Sequence, residues 1–328
     1  MEWASVIREL GRGATGSRDL TQDEAARLYA ALLDGQVPDL EQGAIAIALR
    51  MKTESVDEMA GFLAAASERL PKLQTPPGSV RPVVLPTYNG ARRSANLTPL
   101  LALLLQRQRV PVLVHGLGDG YGRISSEQIF RSLGIAACAS VVQAQQALVE
   151  QGLAYVPLPV LSPGLDRQLA LRARLGLRNS AHSLVKMLDP IVGGGLLLAS
   201  ATHPAYLTTM RTLLTACRAR ALLLRGSEGE PFANPRRRPA IEYLHDGVVE
   251  LLYDAEHDSL RSLPQLPASC DAETTAEWTR DVLDGRVALP PPIVSQLAGC
   301  VYASGRTVTL VEADALVAAG CPTPFAVS

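Results

Sequence analysis

The chain has 328 residues, 47% hydrophobic but only 4% aromatic. It is long enough for about two domains, and its core must be mostly Leu, Ala and Val. Thirty-one basic and 32 acidic side chains leave a net charge of −1, a balance that by itself argues for no polyanionic partner, and no window offers the ~20 uninterrupted apolar residues of a membrane span.

Residues 1–75 read as helical. "SVIRELGRG" is a short helix stopped by glycine. In "TQDEAARLYAALLDGQ", Thr21 is a plausible N-cap with acids in the first turn and Gly35 at the end. "DLEQGAIAIALRMKTES" carries a broad apolar face, and Ser55 with Glu58 fits a capping box. "KLQTPPGSVRP" is a Pro/Gly linker that marks a boundary. From residue 82 short apolar runs alternate with helices: "VVLP", then a helix from about Leu97; "VPVLVHG", then "SSEQIFRSLG", a helix ended by Gly134. "YVPLPVLSP", "GGLLLASA", "RALLLRG", "VVELLY" and "TVTLVEA" continue the series. Such alternation predicts an α/β fold with a largely parallel sheet covered on both faces, interrupted by the long helical stretch "GLDRQLALRARLGLRNSAHSLVKMLDP".

The near-neutral total hides an asymmetry. Residues 1–159 carry 15 basic and 15 acidic side chains, residues 160–240 carry 12 and 4, and residues 241–328 carry 4 and 13. The excess of positive charge is concentrated in the middle of the chain, a better hint of an anionic partner than net charge. In "RQLALRARLGLRNSAHSLVK", Arg174, Arg178, His182 and Lys186 follow one another at intervals of four, which on a helix puts them on one face. Arg172, Asn179 and Ser180 accompany them, and acids lie only at the ends. A stripe of unpaired like charge makes most sense facing an anion, although Gly176 interrupts it.

Other candidates are weaker. The strand–turn–helix junction "PTYNGARR" (86–93) offers backbone N–H groups to an anion, with Arg92 and Arg93 beside it; an ordinary βα turn with solvated arginines reads equally well. "VHGLGDGYGR" (114–123) is glycine-rich but matches neither a Walker loop nor a dinucleotide fingerprint. "NPRRRP" places Arg236, Arg237 and Arg238 in a proline-bounded loop. Arg225 lies just past a strand, where ligand sites of α/β folds gather. The five cysteines, Cys138, Cys217, Cys270, Cys300 and Cys321, have no CxxC spacing, so they read as reduced and without structural zinc. The N-terminal "MEWASVIREL" lacks an apolar h-region, so no signal peptide and a cytoplasmic location are expected.

With these motifs in place, the chain resembles anthranilate phosphoribosyltransferases, of the glycosyltransferase-3 and pyrimidine nucleoside phosphorylase fold group. The resemblance runs along essentially the whole chain. It rests on "VPDLEQGAIAIALRMKTES", His115-Gly116 after a strand, "SSEQIFRSLG", Arg178 in "LGLRNSAH" and "HPAYLTTM". It implies a small N-terminal helical, dimerising domain (1–75, completed by helices from about 165–188) and an α/β domain (80–160 and 190–328). The departures carry more information. The enzymes' GTGGDG pyrophosphate loop reads Pro86-Thr87-Tyr88-Asn89-Gly90-Ala91 here, so Thr87 is kept while Tyr88 and Asn89 replace glycines that allow close backbone approach. Their KHGNR reads Val114-His115-Gly116-Leu117-Gly118. Their DGLDE, whose carboxylates hold Mg²⁺, reads Glu228-Gly229-Glu230-Pro231-Phe232. The altered motifs are similar to a YbiB-type branch of the family, which implies homodimers that bind DNA and RNA with little sequence preference, no transferase activity and no cofactor. Phosphate contacts are then expected first from Arg172, Arg174, Arg178 and Lys186, with Asn179, Ser180 and His182. Arg92, Arg93, Arg225, Arg236, Arg237 and Arg238 come second; an exposed Tyr88 would stack on a base, but an ordinary turn tyrosine is the readier reading. Three alternatives stand beside this: a relaxed transferase using phosphoribosyl pyrophosphate with Glu228 and Glu230 on Mg²⁺, a non-catalytic binder of a phosphorylated metabolite, and a purely structural partner protein.

Overall fold

A computed structural model describes residues 2–13, 16–118, 122–258 and 264–320. In chain order its elements begin α1 (Trp3–Leu10), α2 (Gln22–Leu33), α3 (Asp39–Lys52), α4 (Val56–Glu68), β1 (Val83–Thr87), α5 (Thr98–Arg107), β2 (Val112–Gly116), α6 (Ser126–Ser132), α7 (Val141–Glu150) and β3 (Leu153–Pro157). They continue α8 (Leu158–Leu161), α9 (Pro163–Leu175), α10 (Ala181–Leu184), β4 (Leu196–Ala201), α11 (Pro204–Ala216), β5 (Ala221–Arg225), β6 (Ile241–His245), β7 (Val248–Tyr253), α12 (Ala272–Leu283), α13 (Pro291–Ala303) and α14 (Leu310–Gly320). Contacts divide the chain into two units, Met1–Pro71 with Leu158–Pro190, and Lys72–Pro157 with Ile191–Ser328.

The first unit is helical. Both expected N-terminal signals act there: Thr21 and Glu24 form a capping box on α2, and Ser55 and Glu58 form one on α4, satisfying backbone donors a helix start leaves open. Glu58 is fully buried. Its carboxylate accepts from Leu20 N at 2.9 Å, Ser55 N at 2.8 Å and Lys52 Nζ at 2.8 Å, so the buried charge is both paired and hydrogen-bonded. Helices α2 and α4 pack so closely that a Cβ on Gly61 would lie 2.2 Å from the Gln22 carbonyl oxygen. Tyr29 stacks on Phe62 at 4.7 Å between ring centroids. The late segment completes this unit: Arg167 and Gln168 of α9 donate to the carbonyls of Leu33 and Leu32 at 2.7 and 3.3 Å, capping the C-terminal end of α2.

The second unit holds one seven-stranded sheet in the order β3-β2-β1-β4-β5-β6-β7. The five strands from β3 to β5 are parallel, and β6 and β7 add antiparallel pairs at one edge. Strands β1, β2 and β4 are buried along their whole length, which is why they read as continuous apolar runs rather than alternating ones. Strand order reverses between β1 and β4, and in such sheets ligands sit at the carboxyl ends of the strands beside that switch point. Edge strand β7 leaves Val248, Val249 and Leu251 exposed.

One expected strand is corrected. "TVTLVEA" leads into α14 instead. Thr309 Oγ1 accepts from Glu312 N at 3.2 Å, while the Glu312 carboxylate accepts from Val308 N and Thr309 N at 3.0 and 3.2 Å. The T-x-x-E spacing is a helix-start signature, and it overrides the β-branched character of the run. Strand β6, "IEYLH", is not among the expected strands. No helix among the described residues is long and apolar enough to cross a membrane.

Candidate functional site

The turn after β1 sits at the switch point. Gly90 takes φ +63° there, and a Cβ on it would lie 3.0 Å from both Arg123 Cβ and the Ile124 carbonyl oxygen, so glycine is needed for conformation and for space. The backbone donors of the turn are already occupied. Glu230, fully buried, accepts on Oε1 from Asn89 N at 2.6 Å and Gly90 N at 2.8 Å. Its Oε2 accepts from the Thr87 hydroxyl and, at 3.4 Å, from the Thr98 hydroxyl. Glu228 takes the next three residues: its Oε1 accepts from Arg93 N at 2.9 Å, Ser94 N at 3.0 Å and Ser94 Oγ at 3.1 Å, and its Oε2 from Arg92 N at 3.3 Å. Asn89 Nδ2 also donates to the Glu228 carbonyl at 3.1 Å. Burial pushes the Glu228 carboxyl up, but the N–H groups of Arg93, Arg92 and Ser94 outweigh it and hold the group below its ordinary value.

These contacts correct the expectation that the turn offers its N–H groups to an external anion. Two carboxylates of the chain's own β5–β6 loop stand where an oxyanion would sit. The loop is shaped for this: Glu228 and Gly229 both have positive φ, and a Cβ on Gly226 would come within 2.1 Å of the Glu230 carbonyl oxygen. The same pairs leave Glu228 and Glu230 unsuited to Mg²⁺, since their oxygens face N–H and O–H donors, and no group of three metal-ligating side chains exists among the described residues. Tyr88 is the ordinary turn tyrosine rather than a stacking platform. It is buried, with its hydroxyl 2.6 Å from His115 Nδ1. In the glycine-rich stretch 114–123, Gly116 serves strand packing, because a Cβ there would meet the Thr87 carbonyl oxygen at 2.1 Å; residues 119–121, like Cys321, lie outside the described residues.

Beside the turn lies a cleft of about 910 Å³ lined by Arg93, Arg225, Arg236, Arg237 and Arg238, with Glu228 and Glu256 in its wall. Separate parts of the sequence thus converge: Arg93 follows β1, Arg225 ends β5, and "NPRRRP" is the β5–β6 loop. Asn234 shapes that loop, its side chain accepting from Arg236 N at 2.9 Å and its carbonyl from Arg237 N at 3.2 Å. Arg238 is committed to the fold, donating to the Asp254 carbonyl at 3.2 Å and Ser295 Oγ at 3.1 Å, with its guanidinium 5.3 Å from the Tyr253 ring centre. Arg93, Arg225, Arg236 and Arg237 are exposed, and none forms an ion pair with another described residue. Arg92 is exposed on the same turn but does not line the cleft.

The segment 172–186 is less uniform than its spacing suggests. Helix α9 stops at Gly176, which takes the left-handed conformation at φ +70°, so Arg174 shares no helical face with Arg178, His182 and Lys186. Arg174 pairs with Asp39 at 2.9 Å. Asn179 donates from Nδ2 to the Gln168 carbonyl at 2.7 Å and accepts from Ala181 N at 3.1 Å. The Ser180 hydroxyl donates to Glu54, and Lys186 is buried. His182 is pushed down to about 4, chiefly by burial and then by the charge of Arg178, so it is neutral at pH 7 and adds no cation. Arg178 is exposed and Arg172 half-buried. These residues belong to the helical unit and the arginine cleft to the α/β unit.

Comparison with known proteins matches this architecture. Residues 4–69 match the helical bundle domain of the glycosyl transferase family. An uncharacterised protein of Escherichia coli (strain K12) named YbiB is 41% identical over 318 residues, spanning 97% of this chain and 99% of that one. The chain belongs to the YbiB family, on the anthranilate phosphoribosyltransferase-like fold. An anthranilate phosphoribosyltransferase of Methylobacterium nodulans is 27% identical over 316 residues, spanning 94% of this chain and 92% of its own. The crystal structure of the Thermus thermophilus enzyme superposes with a TM-score of 0.78 at 21% identity, over 99% of this chain and 95% of that chain. The Saccharomyces cerevisiae enzyme in complex with PRPP and Mg gives a TM-score of 0.71 at 13% identity, over 97% and 94%. The helical unit, the mostly parallel sheet and the order of elements are therefore those of this fold.

Proposed function

We propose that the chain is a non-catalytic, sequence-tolerant binder of nucleic acid that acts in the cytoplasm as a homodimer and grips the phosphate backbone. The observation that carries this reading is the cleft in which Arg93, Arg225, Arg236 and Arg237 stand exposed without ionic partners among the described residues. Guanidinium groups suit phosphate because they present several donors in a rigid plane, and each phosphate neutralised releases counterions. Among the described residues the cleft lining carries no aromatic side chain other than His257, so the reading is one of charge rather than base stacking. Transfer from phosphoribosyl pyrophosphate is disfavoured, because Glu228 and Glu230 already fill the donors of the β1–α5 turn.

The test is a titration of labelled single-stranded DNA at two salt concentrations. Wild type is compared with R93A/R225A/R236A/R237A and with R172A/R174A/R178A. The cleft variant is expected to lose most of the affinity, with the slope of log K on log salt falling by up to about 3, at ~0.7 per phosphate contact on a single strand. The second triple variant should lose less. Absence of wild-type binding at low salt, or an unchanged slope in the cleft variant, overturns the proposal.

A further inference from the structure

We propose that Tyr206, with His203 beside it, is a base-stacking platform on the rim of the arginine cleft, and that the ligand it engages is a strand with unpaired bases. The inference rests on the nucleic-acid reading above and adds what the cleft walls lack. The aromatic side chains of this chain are few, and most are turned inward. Among the described residues Tyr206 is the only Phe, Tyr or Trp that is exposed, keeping 46% of its surface. A ring left at the surface in this way suits a binding face, where one side is apolar and the hydroxyl stays wet.

Its position follows from the strand register. Strands β4 and β5 pair with Ala201 opposite Arg225, so the chain leaving β4 passes beside the arginine that ends β5. Thr202 and Arg225 both line the cleft. His203 follows as the N-cap of α11, Pro204 opens the helix, and Tyr206 lies in its first turn. The two rings are 6.3 Å apart between centroids and inclined at 78°, an edge-to-face pair. Residues 202–206 are all exposed, and α11 carries no acidic side chain, so this turn offers no carboxylate to repel a phosphate. A strand held by its phosphates along Arg225, Arg236 and Arg237 has its bases free to reach the rim. Every base has a π-face, so a ring holds any of them without reading its identity. Duplex bases are already stacked on one another and have no face to give. Charge comes from the cleft and stacking from α11.

The test measures binding of the full chain to three labelled probes: oligo(dT), an abasic strand of the same length and charge, and a dA·dT duplex. Wild type is expected to bind oligo(dT) about tenfold more tightly than the abasic strand. Y206A and Y206L should erase that preference, while the salt slope on oligo(dT) stays that of wild type because no phosphate contact is removed. Y206F, which keeps the ring, should keep the preference. The fluorescence of Y206W should be quenched by oligo(dT) and not by the abasic strand. Duplex affinity should be the same in wild type and Y206A. Equal wild-type affinity for oligo(dT) and the abasic strand, or a preference that survives Y206A, overturns the platform and leaves the cationic cleft standing. Equal losses on all three probes in Y206A reduce the residue to a structural role and overturn the platform as well. Binding of wild type to none of the probes removes the nucleic-acid reading and the platform together.

Discussion

Glu230 carries more of the α/β unit's local order than its position in a loop suggests. Removing its carboxylate leaves Asn89 N, Gly90 N and two threonine hydroxyls without their buried acceptor. Hydrogen bonds to a charged group contribute roughly 1.5–3 kcal/mol each when an isolated partner is stranded, so E230A should lose about 3 kcal/mol or more, read as a lower urea midpoint. His182 gives a pH-dependent term. Its value of about 4 in the folded chain lies below the ordinary 6.5, so the unfolded chain binds the extra proton first. The stability from a neutral His182 is complete above pH 6.5 and is lost as the pH falls toward 4, to a limit of roughly 3 kcal/mol at 1.36 kcal/mol per unit. Unfolding curves between pH 7 and 4.5 should therefore flatten in H182N. Glu228 behaves in the same sense lower down: its contribution is present above its ordinary value of 4.5 and fades as the pH falls through the depressed one.

Among the elements, the helices α2 and α4 pack closely. A Cβ at Gly61 would also lie 2.8 Å from Ala25 Cβ and Ala26 N, all parts of a neighbouring helix that cannot swing aside. G61A should therefore cost about 1–3 kcal/mol by overpacking, and scanning calorimetry should record the lower Tm. Such contacts are invisible in a sequence, where Gly61 looks like a mild fault in a good helix. Local signals were legible: the caps at Thr21 and Ser55 and the apolar runs of the parallel strands follow from chemistry within a few residues. "TVTLVEA" failed because two local signals competed and the capping box won. The stripe at 172–186 failed because Gly176 ends the helix, a break the sequence displayed but whose effect depends on backbone conformation. The carboxylate plug needed residues 89–94 and 228–230 to meet, a pairing that strand order alone brings about. Its only trace in the sequence is a pair of glutamates around a glycine just after β5.

For the whole molecule, charge placement decides more than net charge. The chain totals −1, yet among the described residues one cleft gathers five arginines against two carboxylates, both of which accept from backbone N–H groups. On the reading proposed above, a filled turn and an open cationic cleft suit extended anions better than a buried pyrophosphate. Phosphoribosyl pyrophosphate with Mg²⁺ should accordingly leave the wild-type Tm unchanged, while a single-stranded oligonucleotide raises it by mass action. A thermal shift of several degrees with the sugar phosphate alone would reverse that order.

The division of the chain also governs the order in which it becomes able to fold. The helical unit opens with residues 1–71 but is finished only by Leu158–Pro190, which supplies the side chains that close the end of α2. During synthesis the first four helices must wait until roughly half of the polypeptide has emerged. Meanwhile β1, β2 and β3 wait in turn for β4, whose pairing with β1 joins the two halves of the sheet. Each unit is interrupted by the other, so neither is a free-standing N-terminal module, and a ribosome-bound intermediate exposes unfinished surfaces of both.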